Sequence, residues 1–259
     1  MIIDRVEVEN VRNIASASLD LSPDFNVVSG PNGAGKTALL EAIHLAVRGR
    51  SFRGAATGDS LVRAGTSDLV VRLWMRSPIK SDGSGGGAVL GDRRRKLVFH
   101  KARRKPPVVR IDDTKARQMS AAAALVPLQV FLPDLSDLVF GGPAVRRQWL
   151  DWGAFHVEPS FLAALRSYLR AVRQRNAALK SGDRASVEVW TLQVAELGER
   201  VTDERARYVD AIEGTFKRCM DALDPSIDLD LVFDPGWRGE TLLDALRLHE
   251  TGDVKSGVT

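Results

Sequence analysis

A chain of 259 residues and 28.3 kDa is long enough to bury a sizeable core and allows one or two domains. Its apolar share of 44% and charged share of 27% are those of a soluble globular protein, and no apolar run is long enough to span a bilayer. The one cysteine, Cys219, excludes an internal disulfide or a thiolate metal cluster and fits a reducing cytoplasm. Its place in a helical stretch points to a buried structural thiol.

In chain order, Met1 to Asn10 alternates apolar and charged residues and reads as a strand, not a signal peptide. Ser18 to Leu21 predicts a second strand, Ser22-Pro23-Asp24 a turn, and Phe25 to Ser29 a third strand. Gly30 to Thr37 then reads G-P-N-G-A-G-K-T, the phosphate-binding pattern G-x-x-x-x-G-K-[ST]. Ala38 to Arg48 follows with helical spacing of Leu39, Leu40, Ile43, Leu45 and Val47, completing the strand, turn and helix that the motif requires. Gly30, Gly33 and Gly35, with Pro31, Asn32 and Ala34 between them, let main-chain N–H groups and the positive helix end wrap a polyphosphate. Lys36 reaches the β- and γ-phosphates and the Thr37 hydroxyl ligates Mg²⁺. These residues predict a nucleoside triphosphate site.

Further strands are predicted at Thr66 to Arg76, Lys96 to Lys101 and Val108 to Asp112, with a Gly/Ser-rich surface loop from Lys80 to Asp92. Together they suggest an antiparallel β-lobe. The net charge of +4 is mild. It is unevenly spread: Arg93, Arg94, Arg95, Lys96, Lys101, Arg103, Arg104, Lys105, Arg110, Lys115 and Arg117 face only Asp112 and Asp113 across the same stretch. Such a field favours a polyanion such as nucleic acid; a solvated basic hairpin is the bland alternative.

After Pro133 the pattern turns helical. Gly141-Gly142-Pro143 opens one helix, and Pro159 to Lys180 places Phe161, Leu165, Tyr168, Leu169, Val172 and Leu179 on one face. Ser181-Gly182-Asp183 breaks the chain with a natural N-cap. A long periodic run follows through Val187, Trp190, Val194, Leu197, Val201, Tyr208, Ile212, Phe216, Cys219 and Leu223, with a gap at Arg205. The two helices predict an antiparallel hairpin, either a projecting arm or a pair packed on the body. Ile227 to Phe233 alternates as a strand, Thr241 to His249 is helical, and Thr251 to Thr259 reads as polar and loose.

Four blocks resemble the RecF family, bacterial DNA-repair ATPases related to the SMC-type ABC ATPases. They are I-I-D-R-V-E-V-E-N-V-R-N-I at the start, the loop with its extension to Arg53, G-G-P-A-V-R-R-Q-W-L-D-W-G-A-F-H-V-E-P-S-F from Gly141, and R-Q-R-N-A-A-L-K from Arg173. The resemblance implies an α/β P-loop ABC-type (SMC-like) ATPase lobe with an antiparallel β-subdomain and an inserted helical-hairpin arm. The expected division is 1–140 for the ATPase part with the β-lobe, 141–224 for the arm, and 225–259 for a segment returning to the ATPase domain. It also implies an ATP-dependent homodimer that clamps DNA at gaps or single-strand/duplex junctions, with RecO- and RecR-like partners, in replication restart and SOS induction. No S-x-G-Q signature and no strand ending in paired acids occurs, so the sequence reads as a C-terminally truncated member, expected to bind ATP weakly and hydrolyse it negligibly.

By the same resemblance Arg12 and Asn13 contact the nucleotide, an ordinary strand-turn being the alternative. Gln129 occupies the place of the Q-loop that senses Mg²⁺ and the γ-phosphate, or is a structural glutamine at a strand end. Arg53 approaches a phosphate. Arg146 and Arg147 either bind DNA or pair with Asp151, and Trp149 and Trp152 read as core. The four histidines lack the spacing of metal ligands. Two other classes compete: a P-loop small-molecule kinase or nucleotide hydrolase, and an ABC transporter ATPase.

Overall fold

The computed structural model describes residues 1–54, 58–79, 89–132, 137–227 and 229–259. Packing divides the chain into two units, Met1–Pro133 and Asp134–Thr259.

In the first unit, β1 (Ile2–Val11) and β2 (Ile14–Asp20) form a hairpin around the two-residue turn Arg12-Asn13. They join β3 (Asp68–Ile79), β4 (Val89–Ala102), β5 (Val108–Ile111) and β6 (Thr114–Lys115) in one antiparallel sheet of order β2-β1-β3-β4-β5-β6. Side chains alternate across a strand, so one face collects Val6, Val8, Leu69, Val71, Leu73, Met75, Leu97 and Phe99, all buried. The register sets Val8, Val71, Phe99 and Val109 in one row across four strands. Against this face lies α1 (Lys36–Arg48), contributing Leu39, Ala42, Leu45 and Ala46, with α2 (Gly58–Leu61) and α3 (Ser120–Leu125) at the margins. Each fully buried Leu, Val or Phe contributes ~1.5–3 kcal/mol, so this layer fixes α1, and the loop that begins it, relative to the sheet.

Three sequence expectations change here. Phe25 to Ser29 is not a strand: the segment pairs with none of the six strands, and Phe25 and Val27 are 91% and 92% exposed. The described residues of Ile227 to Phe233 likewise form no strand, and Val232 is exposed. Alternation makes a strand only where a neighbouring strand takes up its backbone hydrogen bonds, and among the described residues neither segment has one. In the predicted Gly/Ser loop, residues 80–88 lie outside the described residues, and Val89 onward already belongs to β4, where Val89 pairs with Ile79.

The second unit is helical: α4 (Asp137–Phe140), α5 (Pro143–Val157), α6 (Phe161–Ser181), α7 (Arg184–Leu223) and α8 (Leu242–Ser256). Pro143 opens α5, left-handed Gly182 (φ 73°) closes α6, and the Asp183 side chain caps α7 by accepting from Ser186 N–H at 3.2 Å. α6 and α7 run antiparallel along a seam where Ala164 meets Val201, Ala171 meets Val194 and Ala178 meets Val187. These seven-residue steps are those of a heptad and fit the periodic run predicted from Val187 onward. On the α6 side these three positions are alanine, with Phe161 and Leu179 buried beside them, so the two backbones approach closely there.

The segment after Leu223 supplies α8, whose Leu242 and Leu246 pack with Ala171 and Val194. Nor is the tail loose. Arg175 on α6 is fully buried, with Nε donating to Thr191 Oγ1 at 2.8 Å and Nη1 to Asp253 Oδ2 at 2.7 Å, which holds the end of α8. A buried guanidinium requires such partners, and they override the polar composition. Cys219 is exposed rather than buried, because Val209 is the last buried residue of α7. At Gly153 on α5, a Cβ would meet the Tyr208 ring of α7 at 2.0 Å. Gly153→Ala is therefore expected to destabilise this unit by about 1–3 kcal/mol through overpacking. At Gly214 an added Cβ would come no nearer than 3.8 Å to Arg218, so Gly214→Ala should stabilise the unit by up to ~1 kcal/mol through helix propensity. Urea midpoints moving in the same direction for both would contradict this packing.

Candidate nucleotide-binding site

The site is assembled from the start of α1 and the tip of the β1–β2 hairpin. Gly30, Gly33 and Gly35 have φ of 148°, 82° and 99°. Of these three, Gly35 is the one where both conformation and space demand glycine. Its φ is left-handed, and a Cβ would press on Ile14 Cγ1 at 3.1 Å and approach Asn13 Oδ1 at 3.5 Å. α1 starts at Lys36, two residues before the predicted helix, so its first amides continue those of the loop and point the same way. The Lys36 ammonium donates to the Gly30 and Pro31 carbonyls at 2.7 and 2.9 Å, and Thr37 is exposed one residue on.

The hairpin tip reaches this loop. Asn13 Nδ2 donates to the Gly33 carbonyl at 2.5 Å, and Arg63 Nη1 donates to the Asn13 carbonyl at 2.9 Å. Arg12 turns toward α1: Nε and Nη2 form a two-pronged ion pair with Glu41 at 3.0 and 2.9 Å. The Ser51 hydroxyl donates to the same carboxylate. Gln129 is exposed in the irregular stretch after α3 and ends no strand. The structure thus brings Asn13 to the loop and Arg12 to the helix behind it. Glu41 went unnoticed in the sequence, its sole signal being a carboxylate on the apolar face of an amphipathic helix.

Burial alone would raise the Glu41 carboxyl. The hydrogen bonds from Arg12 and Ser51 and the charges of Arg12 and Arg53 outweigh it, leaving the group below its ordinary 4.5. His44, on the same helix, is pushed down by burial and stands 2.7 Å from the Arg50 carbonyl through Nδ1. Among the described residues no group of three or more His, Cys, Asp or Glu could hold a metal.

The basic stretch is less bare than its composition suggests. Lys101 is buried and donates to Asp59; Arg103 caps the Val62, Arg63 and Thr66 carbonyls at 2.9–3.0 Å. Arg94 pairs with Asp4 at 3.2 Å and Arg95 with Asp112 at 2.7 Å. Four of the eleven cations are therefore committed to the fold. On the outer face of the sheet, Trp74 carries Arg5 and Lys96 at 5.5 Å and Arg94 at 5.9 Å from its ring centre. Arg93, Arg94, Arg95, Lys96, Asp112 and Asp113 line a depression beside it.

In the second unit, Asp151 pairs with Arg205 at 2.7 Å, while Arg146 donates to the Gly141 carbonyl at 2.8 Å. Arg205 interrupts the apolar run of α7 because it faces this acid. Burial pushes the Asp151 carboxyl up and Arg205 opposes the shift. Trp149 and Trp152 are half-buried, packing on Tyr208 and on Phe155 with His156.

A glycine-rich loop opening a helix that packs on an antiparallel sheet, in a chain that also carries a helical hairpin, is the fold of P-loop ATPases of the SMC-head class. A family model described as an AAA domain matches residues 5–123. The DNA replication and repair protein RecF of Xanthomonas axonopodis pv. citri (strain 306) is 36% identical over all of this chain, which covers 69% of that protein. The RecF of Shewanella pealeana (strain ATCC 700345 / ANG-SQ1) is 34% identical with the same coverage, 100% and 69%. Among solved structures, the recombination mediator protein RecF with ATP, of the RecFOR pathway, matches with a TM-score of 0.79 at 24% identity, covering 100% of this chain and 69% of that one. The Pyrococcus furiosus Smc head domain, bound to the C-terminal domain of ScpA, matches with a TM-score of 0.53 at 17% identity, covering 91% and 68%. The chain belongs to the RecF family.

The ionised Glu41 links this site to pH. A depressed folded pKa stabilises the fold above the unfolded value, and that stabilisation is lost as pH falls through the folded value. Wild-type stability should therefore decline below the ordinary carboxyl value of 4.5, and Glu41→Gln should flatten that decline. Urea midpoints across the acid range check this, and equal slopes for the two proteins would contradict it.

Proposed function

We propose that the chain binds ATP with Mg²⁺ in the Gly30–Thr37 loop and is an ATP-governed DNA-binding protein of recombinational repair. The observation that carries the reading is Lys36, whose ammonium bridges two loop carbonyls at 2.7 and 2.9 Å beside the amides that begin α1. That ammonium is mounted on the loop where the terminal phosphates of a cradled triphosphate would meet it. Membership of a family of DNA replication and repair proteins supports the biological half.

The donor set fits Mg²⁺. The ion takes one or two protein oxygens and fills its other positions with phosphate oxygens and water. The exposed Thr37 hydroxyl, with Gln129 as a second neutral oxygen, would hold it, and it would neutralise charge on the phosphates. Arg12 and Asn13 border the nucleotide, Asn13 directly. ATP then joins two copies around DNA at gaps or single-strand/duplex junctions, with RecO- and RecR-like partners, in the cytoplasm.

DNA is held through its phosphates, hence with little sequence preference and a steep salt dependence. Arg93, Lys96 and Arg110 on β4 and β5 are the contacts favoured here, since their charge is not absorbed by an ion pair among the described residues.

Three outcomes follow. Lys36→Ala should weaken binding of a fluorescent ATP analogue about ten- to hundredfold, the range of a lost charge-assisted hydrogen bond. Unchanged affinity would remove the loop from the site. Replacing Arg93, Lys96 and Arg110 by Gln should lower the salt slope of DNA binding by about 0.9 for each phosphate no longer neutralised. Lys101→Ala should destabilise the fold instead and leave that slope alone.

A further inference from the structure

Building on that reading of the loop, we propose that Glu41 is a positioning residue: its buried carboxylate, acting through Arg12, holds the Asn13 amide on the phosphate-binding loop. Glu41 lies one helical turn beyond Thr37, on the buried face of α1, and its side chain is fully buried. Its two oxygens take both prongs of Arg12 and the Ser51 hydroxyl. A buried ion pair is a weak source of net stability, since apolar residues of similar volume often do as well. What it supplies here is register.

Arg12 is the residue that needs holding. It occupies the turn of the hairpin with φ 55°, a left-handed conformation unfavourable for a side chain of its size. Such strain persists only where the surroundings over-determine it. Arg12 is fixed by Glu41 through its side chain, and its N–H donates to the Leu61 carbonyl at 2.8 Å. The next residue, Asn13, is thereby aimed at Gly33, whose carbonyl it meets at 2.5 Å. Releasing Arg12 lets the turn relax and withdraws Asn13, so the loop loses its one side-chain tie to the hairpin among the described residues. Orienting the Gly33 carbonyl orients the amide plane it shares with Ala34, in the middle of the anion cradle.

The test uses the intact chain, with and without nucleotide. In nucleotide-free protein, Glu41→Gln and Ser51→Ala should move the Gly33, Ala34 and Gly35 amide resonances along the line set by Asn13→Ala, with Ser51→Ala moving them least. Adding Glu41→Gln to Asn13→Ala should move them no further. In parallel, Glu41→Gln and Asn13→Ala should each weaken a fluorescent ATP analogue about tenfold, and the double variant about tenfold rather than about a hundredfold. A residue that merely braces the fold would lower the melting temperature without reproducing the Asn13→Ala shifts. Wild-type-like loop resonances in folded Glu41→Gln, or multiplied affinity losses, would overturn the proposal. If Glu41→Gln does not fold, the Ser51→Ala shifts decide by the same criterion. If the wild-type chain binds no ATP analogue, the nucleotide reading falls while the resonances still judge the positioning role.

Discussion

The apolar face of the antiparallel sheet, pressed against α1, is the constraint on which the rest of the first unit depends. Residues 21–29, which lead into the loop, are irregular, and Phe25 and Val27 in them are almost fully exposed. Chain continuity therefore does little to place the loop. Burial of Leu39, Ala42, Leu45 and Ala46 against the row from Val8 to Val109 does, because it fixes where the helix begins and where its amides point. The hairpin tip adds the polar part, with Asn13 on the loop and Arg12 on Glu41. One apolar interface and two polar ties thus place the Gly30–Thr37 loop.

The opposite face of the same sheet separates charge that builds the protein from charge that can meet a partner. Arg72 pairs with Glu9 at 2.6 Å and Arg76 with Asp4 at 2.7 Å, so cations on β3 are matched by acids on β1. Lys101 and Arg103 tie β4 and the turn after it to the chain around Asp59. The surplus collects toward Arg93, Lys96 and Arg110. The total formal charge of the segment therefore overstates the charge that ion pairs leave open there.

Local chemistry was legible in the sequence, and pairing over distance was not. The loop declared itself because glycines, lysine and threonine at fixed spacing act within eight residues. The cap at Asp183 was equally local, accepting from an amide three residues on, and Thr241 caps α8 in the same way. Phe25 to Ser29 and Ile227 to Phe233 misled because alternation describes one strand, whereas a sheet needs a second. The hairpin seam was legible by period: Phe161 and Leu179 on α6 and Val187, Val194 and Val201 on α7 are buried. Leu169, by contrast, is 44% exposed, and the small Ala164, Ala171 and Ala178 complete the α6 side. Arg205 with Asp151 and Arg175 with Asp253 are 54 and 78 residues apart, beyond the reach of any local pattern.

The most direct measurement is a titration of Mg²⁺ and ATP followed at the backbone amides. If the loop cradles the triphosphate, the Gly33, Gly35, Lys36 and Thr37 resonances shift together and saturate with one affinity, ahead of any change on the outer face of the sheet. Saturable binding that leaves those four amides unmoved would contradict the account.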